Sequence, residues 1–210
     1  MRIAVHEFLT IDGVMQGPGG EDEDREGGFA TGGWMVPYAD QEFGEIVEGW
    51  FARADAVLLG RTTYGLMESY WSAVTDPDNG AARVLNKGRK YVVSSSLQTA
   101  DWGDTTILRS LDEVRQLKET GSGELQVHGS AGLAAALHEA GMVDEYRVVF
   151  FPVSVGAGKR LFGLAAPPLG YDLITTRVTG AGAIYVELTP VRFRSGGAFS
   201  VEDGKETTTA

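Results

Sequence analysis

"VHGSAGLAAALHEAGMVDEYRVVFFPVSVGAGKRLF" occupies Val127–Phe162 and decides the fold. It starts as the end of an apolar strand, breaks at Gly129 and continues as an Ala- and Leu-rich helix, predicted over Leu133–Ala140. A second apolar strand, EYRVVFFPVSV, follows. A strand, a helix and a strand in this order are typical of a parallel sheet with helices packed on it. The small residues at the first break leave backbone amides exposed at the positive end of the helix, where a pyrophosphate binds well.

The same alternation runs through most of the chain. Further strands are predicted at Arg2–Leu9 and in AVLLG, KYVVSSS, TTIL and ELQVHG, and further helices at Tyr38–Arg53 and Thr63–Trp71. Two closing strands, YDLITTRVT and AIYVELTPVRF, have no helix between them. We therefore predict an α/β fold of three layers, a mostly parallel mixed sheet with flanking helices and antiparallel C-terminal strands. One domain is expected over residues 1–194, followed by a polar, frayed tail over 195–210.

Composition excludes several classes of function. The chain has 210 residues, a net charge of −11 and no cysteine. Disulfides, thiolate nucleophiles and cysteine-based metal sites are therefore excluded, and nucleic acid is a poor partner because its phosphates would be repelled on average. No apolar run reaches the roughly 20 residues of a membrane helix, and no signal peptide is recognisable, so a cytoplasmic protein is expected.

Three strand ends carry residues that hold phosphates. LLGRTTYG supplies Gly60, Arg61 and Thr63, KYVVSSS ends in hydroxyls, and the quoted stretch supplies the small residues after its first strand. Ligands of open α/β sheets bind at the carboxyl ends of the strands, so these three ends are expected to converge on one ligand with several phosphates. Each segment taken alone is also ordinary loop chemistry, and none matches a standard nucleotide-binding motif.

Candidates for other chemistry are weaker. The three histidines, His6, His128 and His138, lack metal-ligand spacing, and we interpret the strand residues His6 and His128 as satisfied core or edge side chains. No metal site is predicted, and the acidic run GEDEDREGG is expected to be a solvated loop. Asp12 and Asp40 are the carboxylates nearest a plausible cleft, although Asp12 followed by glycine favours a simple turn.

Taken together, these segments resemble the dihydrofolate-reductase-like superfamily, and especially stand-alone relatives of the RibD C-terminal reductase domain of riboflavin biosynthesis. TIDGVMQGPGG resembles the turn after the first strand of that family, LLGRTTYG resembles its G-R-x-T motif, and YVVSSS resembles its strand ending in serine beside the cofactor. The stretch from His128 to Phe162 resembles the family's longest signature almost throughout. The resemblance spans about Arg2–Phe193.

The resemblance implies NADPH as cofactor and a small molecule as substrate. The residues it assigns to NADPH are Gly60, Arg61, Thr63, Ser94, Ser95, Gly129, Ser130, Ala131, Gly132 and Leu133. WMVPYAD resembles the substrate end of dihydrofolate reductases, which makes Trp34 and Asp40 the catalytic candidates, with Asp40 as proton donor. The expected function is reduction of a small heteroaromatic compound, as in 5-amino-6-(5-phosphoribosylamino)uracil reductase, by a homodimer. Dihydrofolate reductase proper and a non-catalytic nucleotide-binding module on the same fold are the alternatives.

Overall fold

An eight-stranded mixed sheet forms the centre of the fold in the computed structural model, which describes residues 1–163, 166–194 and 196–209. Its strands are β1 (Arg2–Thr10), β2 (Ala56–Gly60), β3 (Lys90–Val93), β4 (Thr105–Leu108), β5 (Glu124–His128), β6 (Glu145–Phe151), β7 (Leu169–Val178) and β8 (Ile184–Arg192). Their order across the sheet is β4-β3-β2-β5-β1-β6-β8-β7. The first six are parallel, and β8 and β7 continue the sheet antiparallel. The predicted fold class is confirmed.

Helices cover both faces of this sheet, which gives the three predicted layers. They are α1 (Gln41–Phe51), α2 (Arg61–Trp71), α3 (Gly80–Lys87), α4 (Leu111–Thr120) and α5 (Ala131–Glu139). On one face, Val114 of α4 and Leu133 of α5 join the largest apolar cluster. On the other face, Phe51, Tyr64 and Leu85 bring α1, α2 and α3 into a second cluster.

The boundaries of the helices follow local chemistry. The apolar face predicted for α1 is buried at Phe43, Ile46 and Trp50, but the helix begins at Gln41 because Asp40 is extended and caps it. The preceding Val36–Tyr38 forms a separate 3-10 turn. The predicted start of the first helix at Tyr38 was therefore three residues too early.

Register brings two helix starts together. Strand β2 pairs with β5 so that Leu58 lies opposite Val127. The chain enters α2 directly from β2, and it enters α5 from β5 through Gly129 and Ser130. The N-termini of α2 and α5 therefore lie side by side at the carboxyl edge of the sheet, where such folds bind their ligands.

The C-terminal segment differs from the expectation. Instead of a frayed tail, β9 (Ala198–Glu202) and β10 (Lys205–Thr209) form an antiparallel hairpin. The hairpin turns at Asp203 and Gly204, which both have positive φ angles. Ser195, where the tail was predicted to begin, lies outside the described residues, so the domain boundary stays a prediction.

Several large apolar side chains stay exposed on the antiparallel part of the sheet. Leu173, Ile174 and Val178 of β7 are each more than half exposed, and Ile184 of β8 is 40% exposed. An apolar face of this kind is typical of contact with another surface. The homodimer stays a prediction.

Candidate functional site

A large cleft lies over the carboxyl edge of the sheet, at the ends of β1, β2 and β5. Its volume is about 1310 Å³. The starts of α2 and α5 form one wall, and the loop from Met15 to Glu26 also lines the cleft. Eight of the predicted cofactor residues line it: Gly60, Arg61, Thr63, Gly129, Ser130, Ala131, Gly132 and Leu133.

Ser130 ties the two helix starts to each other. Its Oγ accepts a hydrogen bond from the Gly60 amide at 2.8 Å and donates one to Thr63 Oγ1 at 2.7 Å. To reach across, Ser130 adopts a left-handed conformation with a φ of 65°, which is uncommon outside glycine. A Cβ at Gly60 would lie 2.5 Å from Ser130 Oγ, so only glycine permits this approach.

The amides at both helix starts remain available to a ligand. Neither α2 nor α5 has a side-chain cap, because Gly60 before α2 has no side chain and the Ser130 hydroxyl before α5 is engaged with Gly60 and Thr63. Around Gly132 the backbone is open, since a Cβ placed there would meet no atom within 4 Å. Two uncapped helix starts side by side create a positive, donor-rich surface suited to a pyrophosphate.

Arg61 adds a formal charge to this surface. Its side chain is exposed at the first turn of α2 and lines the cleft. No hydrogen bond or ion pair joins its guanidinium to another side chain within the described ranges. The guanidinium is therefore available to a phosphate, which it can bind through paired hydrogen bonds.

Two predicted cofactor residues are not part of the cleft lining. Ser94 and Ser95 do not line the cleft. The Ser94 hydroxyl is buried and accepts hydrogen bonds from the amides of Ser96 and Leu97, so it closes the turn after β3. The end of β3 lies beside that of β2, where Gly60 is opposite Val93, but the two serines after it are not part of the cleft lining.

Asp40 is occupied in a structural role. Its Oδ1 accepts the Phe43 amide at 2.8 Å as the cap of α1, and its Oδ2 accepts the Ala181 amide at 2.7 Å. These hydrogen bonds, that from Phe43 first, lower the pKa of Asp40 below its ordinary value of 3.8. Asp40 does not line the cleft. An ionised carboxylate in this position does not support the predicted role as proton donor.

We expect Asp40→Ala to lower the melting temperature without changing NADPH affinity. The variant loses an N-cap and the anchor of the Ala181 turn. Because the folded-state pKa is lowered, the stabilisation by ionised Asp40 is present above pH 3.8 and is lost as pH falls through the folded-state pKa. Thermal unfolding at pH 7 and at the lowest pH the fold tolerates measures both effects. A weaker affinity for NADPH at an unchanged melting temperature would return Asp40 to the site.

Trp34 acts on the cleft indirectly. It is 6% exposed, packs edge-on against Phe151 and donates from Nε1 to the Gln16 carbonyl at 2.8 Å. Trp34 itself does not line the cleft, but Gln16 does. The predicted shaping of the pocket by Trp34 is therefore limited to holding the loop that forms its wall.

Asp12 holds a neighbouring loop. Its carboxylate accepts from Thr10 Oγ1 at 2.6 Å and from the Gly156 amide at 2.8 Å. The hydrogen bond from Thr10 is the largest cause of its lowered pKa. This geometry agrees with the interpretation of the Asp-Gly pair as a turn. The hydrogen bond from Gly156 also holds the segment GAGKR near the end of β1.

The acidic run is largely exposed, as the solvated loop expected from the sequence would be, and part of it also lines the cleft. Lys159 lies 2.6 Å from carboxylate oxygens of both Asp24 and Glu26. Gln16 Nε2 donates to the carbonyls of the same two residues, at 3.2 Å and 3.0 Å. The loop is therefore tied to the body of the protein and closes one side of the cleft.

Three buried polar side chains that the sequence interpretation did not assign to a site line the floor of the cleft: His6, Glu7 and His128. The two histidine rings stack at 4.7 Å. Burial lowers the pKa of His6 well below its ordinary value and that of His128 to about 3, so both are neutral at physiological pH. Burial raises the pKa of Glu7 well above its ordinary value of 4.5. Burial therefore favours the protonated carboxylic acid at Glu7.

An ion-pair network anchors this floor from the opposite end of the strands. Arg147 of β6 is fully buried and lies 2.6 Å from Glu124 Oε2 and 2.5 Å from Glu145 Oε1. Its Nη1 donates to His6 Nε2 at 2.9 Å. Since a guanidinium only donates, His6 Nε2 accepts, and the neutral ring carries its proton on Nδ1. Sequence reasoning did not find this network because its members come from separate strands.

No set of three or more metal-ligating side chains clusters within residues 1–163, 166–194 and 196–209. Over the same part of the chain, no helix combines the length and the apolar character that crossing a bilayer requires.

Comparison with known proteins identifies the family. Residues 2–185 match the RibD C-terminal domain. The chain belongs to the RibD C-terminal domain family. It is 26% identical over 188 residues to the uncharacterized protein YyaP of Bacillus subtilis (strain 168), which covers 88% of this chain and 93% of YyaP.

Solved structures show the same fold in other RibD-like proteins. A putative riboflavin biosynthesis protein from Shewanella sp. PV-4 has a TM-score of 0.63 at 18% identity, covering 91% of this chain and 100% of that one. A diaminohydroxyphosphoribosylaminopyrimidine deaminase/5-amino-6-(5-phosphoribosylamino)uracil reductase from Thermotoga maritima has a TM-score of 0.57 at 14% identity. That match covers 90% of this chain and 56% of the Thermotoga protein.

Proposed function

We propose that this member of the RibD C-terminal domain family is an oxidoreductase that uses NADPH to reduce a small heteroaromatic substrate. The observation that carries the proposal is the pair of uncapped helix starts, α2 and α5, which Ser130 joins at one wall of the cleft. The reductase activity named for the Thermotoga maritima relative supports the same class of reaction.

The residues of this wall fit the cofactor. The amides that begin α2 and α5 and the Thr63 hydroxyl would hold the pyrophosphate, and the unpaired Arg61 would meet a further phosphate. The space beside Gly132 leaves room for the backbone to approach the phosphates closely. NADPH would supply the hydride, and the protein would bind, orient and shield the reacting pair.

The other half of the cleft suits a flat ring. Its apolar lining residues include Phe8, Phe43, Val47 and Met35. Apolar walls with a few polar groups at the floor are typical of small-molecule sites, where the polar groups fix orientation. We infer that a heteroaromatic substrate packs here with its polar edge towards His6, Glu7 and His128.

The experiment that tests this function measures oxidation of NADPH by the purified protein with two probes, 5-amino-6-(5-phosphoribosylamino)uracil and dihydrofolate. Turnover of the first supports the proposal directly. Turnover of dihydrofolate alone would make the protein a dihydrofolate reductase. NADPH binding without turnover of either probe would favour a nucleotide-binding module without catalysis.

We expect NADPH to bind at least about tenfold more tightly than NADH. The 2′-phosphate of NADPH can form charge-assisted hydrogen bonds with Arg61, which contribute about 1.5–3 kcal/mol. Isothermal titration calorimetry with both dinucleotides measures the difference, and Arg61→Ala should reduce it. Equal dissociation constants for the two dinucleotides would place Arg61 away from the 2′-phosphate.

A further inference from the structure

A buried carboxyl group without a partner lies in the floor of the cleft. Glu7 is 4% exposed, lines the cleft, and its Oε1 has no hydrogen-bond partner among the described residues. Leaving a buried polar group unpaired costs free energy, so such a group is retained where a ligand or a reaction uses it. Nothing in the packing of β1 explains why this position carries a glutamate.

The position of Glu7 in the sheet places it near the wall proposed to hold the cofactor. On β1 it lies opposite Val148 of β6, and its neighbour His6 lies opposite His128, one residue before the Gly129 turn. Glu7 therefore lies next to the strand end that leads into α5, the wall proposed to hold the cofactor. The alternation of side chains along β1 places it on the opposite face of the sheet from His6.

The surroundings of Glu7 keep it in the acid form. On its face of the sheet, the titratable side chains of β6 and α5 are Tyr146 and His138, which hydrogen-bond to each other at 2.8 Å. Arg61 and Lys159 line the wider cleft, and Lys159 is paired with Asp24 and Glu26. Burial is the cause of the raised pKa of Glu7, with no contribution from a charged neighbour. Burial therefore favours the carboxylic acid form of Glu7 over the carboxylate.

We propose that the Glu7 carboxylic acid donates the proton that completes the reduction carried out in this cleft. This role rests on the proposed function. The carbon of a substrate C=N bond gains a hydride from C4 of the dihydronicotinamide, which is oxidised to the nicotinamide. The electron pair of the C=N π bond moves to the nitrogen, and that nitrogen takes the proton from Glu7. The resulting Glu7 carboxylate regains a proton from solvent through the open side of the cleft.

His6, His128 and Asp40 do not provide this proton. The two histidines are neutral, and their basicity is too low for either to hold an additional proton at physiological pH. Asp40 is ionised and lies outside the cleft lining. Within this set, Glu7 is the acid that lines the cleft and whose protonated form burial favours.

The first test compares Glu7→Gln with the wild-type protein in NADPH binding and in turnover of 5-amino-6-(5-phosphoribosylamino)uracil and dihydrofolate. Glutamine keeps the shape but has no acidic proton, so we expect kcat to fall about 10²-fold or more with the NADPH dissociation constant unchanged. Glu7→Asp should recover part of the rate. Undiminished turnover by Glu7→Gln would overturn the proposal.

The second test reads protonation without any substrate. Because the pKa of Glu7 is raised in the folded state, its neutral form stabilises the protein fully below pH 4.5, and this stabilisation is lost as pH rises towards the folded-state pKa. Glutamine does not ionise. The melting temperature of Glu7→Gln relative to wild type should therefore be higher at pH 8 than at pH 5, by roughly 3 °C for each unit by which the pKa is raised.

Glu45→Gln is the matched control. Glu45 lies on the exposed side of α1, where the hydrogen bond from Arg177 lowers its pKa below 4.5. The stabilisation by its ionised form is therefore already present at pH 5, and the melting temperature of Glu45→Gln relative to wild type should be the same at pH 5 and at pH 8. This substitution should leave turnover unchanged.

An equal difference in melting temperature between Glu7→Gln and wild type at both pH values would show that Glu7 is not protonated and would overturn the proposal. If the wild-type protein reduces neither probe, the proposed function fails and the donor role with it, whereas the melting experiment still reports the state of Glu7.

Discussion

Gly132→Asp is expected to weaken NADPH binding at least about tenfold without lowering the melting temperature. A Cβ at Gly132 meets no atom within 4 Å, so the aspartate fits without a clash, and a carboxylate in the first turn of α5 favours the helix. The same carboxylate faces the proposed position of the pyrophosphate. Repulsion between such charges near a protein surface amounts to about 1–4 kcal/mol. Calorimetric titration with NADPH measures the loss.

Gly132→Asn is the matched control for this prediction. Asparagine has nearly the same shape as aspartate and no charge, so it should retain most of the affinity. Raising the salt concentration should reduce the difference in NADPH affinity between the two variants, because Gly132 is exposed and salt screens exposed charges. An equal loss in both variants would indicate a steric effect and would argue against an anion beside Gly132.

Arg147→Met is expected to lower the free energy of unfolding by about 3–5 kcal/mol, because removing one partner of a buried ion pair leaves the others uncompensated. Arg147 is fully buried between Glu124 and Glu145 and also donates to His6. Urea unfolding of variant and wild type measures the loss.

Arg53→Met is the control for the buried network. Arg53 contacts the same carboxylates, Glu124 and Glu145, but 44% of its side chain is exposed. Replacing Arg53 should lower the free energy of unfolding by no more than about 1 kcal/mol. If both substitutions lower the free energy of unfolding by the same small amount, the charge network does not stabilise the floor of the cleft.

The fold was largely predictable from the sequence because its signals are local and periodic. The spacing of Phe43, Ile46 and Trp50 predicted the buried face of α1, and the absence of a helix between the last two long strands predicted their antiparallel pairing. The C-terminal hairpin was missed because its strands are polar and rich in threonine, with Phe199 and Val201 largely exposed. The hydrophobic alternation of a half-buried strand was therefore absent.

The candidate site was predictable only where small residues follow a strand. Gly60 and Gly129 indicated the two helix starts, and the structure places them together through Ser130. Ser94 carried a similar sequence signal, yet its hydroxyl closes its own turn. A hydroxyl that follows a strand can either contact a ligand or close its own turn, and the sequence does not show which of the two it does.

The polar floor was not accessible to sequence reasoning. His6 and Glu7 lie within an apolar strand, and their environment depends on β5 and β6, which are more than 100 residues away in the chain. One available signal was the glutamate itself, since a charged residue inside a strand predicted to be buried on both faces requires a partner or a function. Asp40, by contrast, had the position of a helix cap, and the structure assigns it that role.

The central claim is that NADPH binds at the joined starts of α2 and α5. Titration of NADPH into ¹⁵N-labelled protein, followed by the amide resonances, tests it most directly. The account predicts that the largest saturable shifts belong to residues 60–63 and 129–133, with little change on β7 and β8. Saturable shifts confined to other parts of the chain, or none at all, would contradict it.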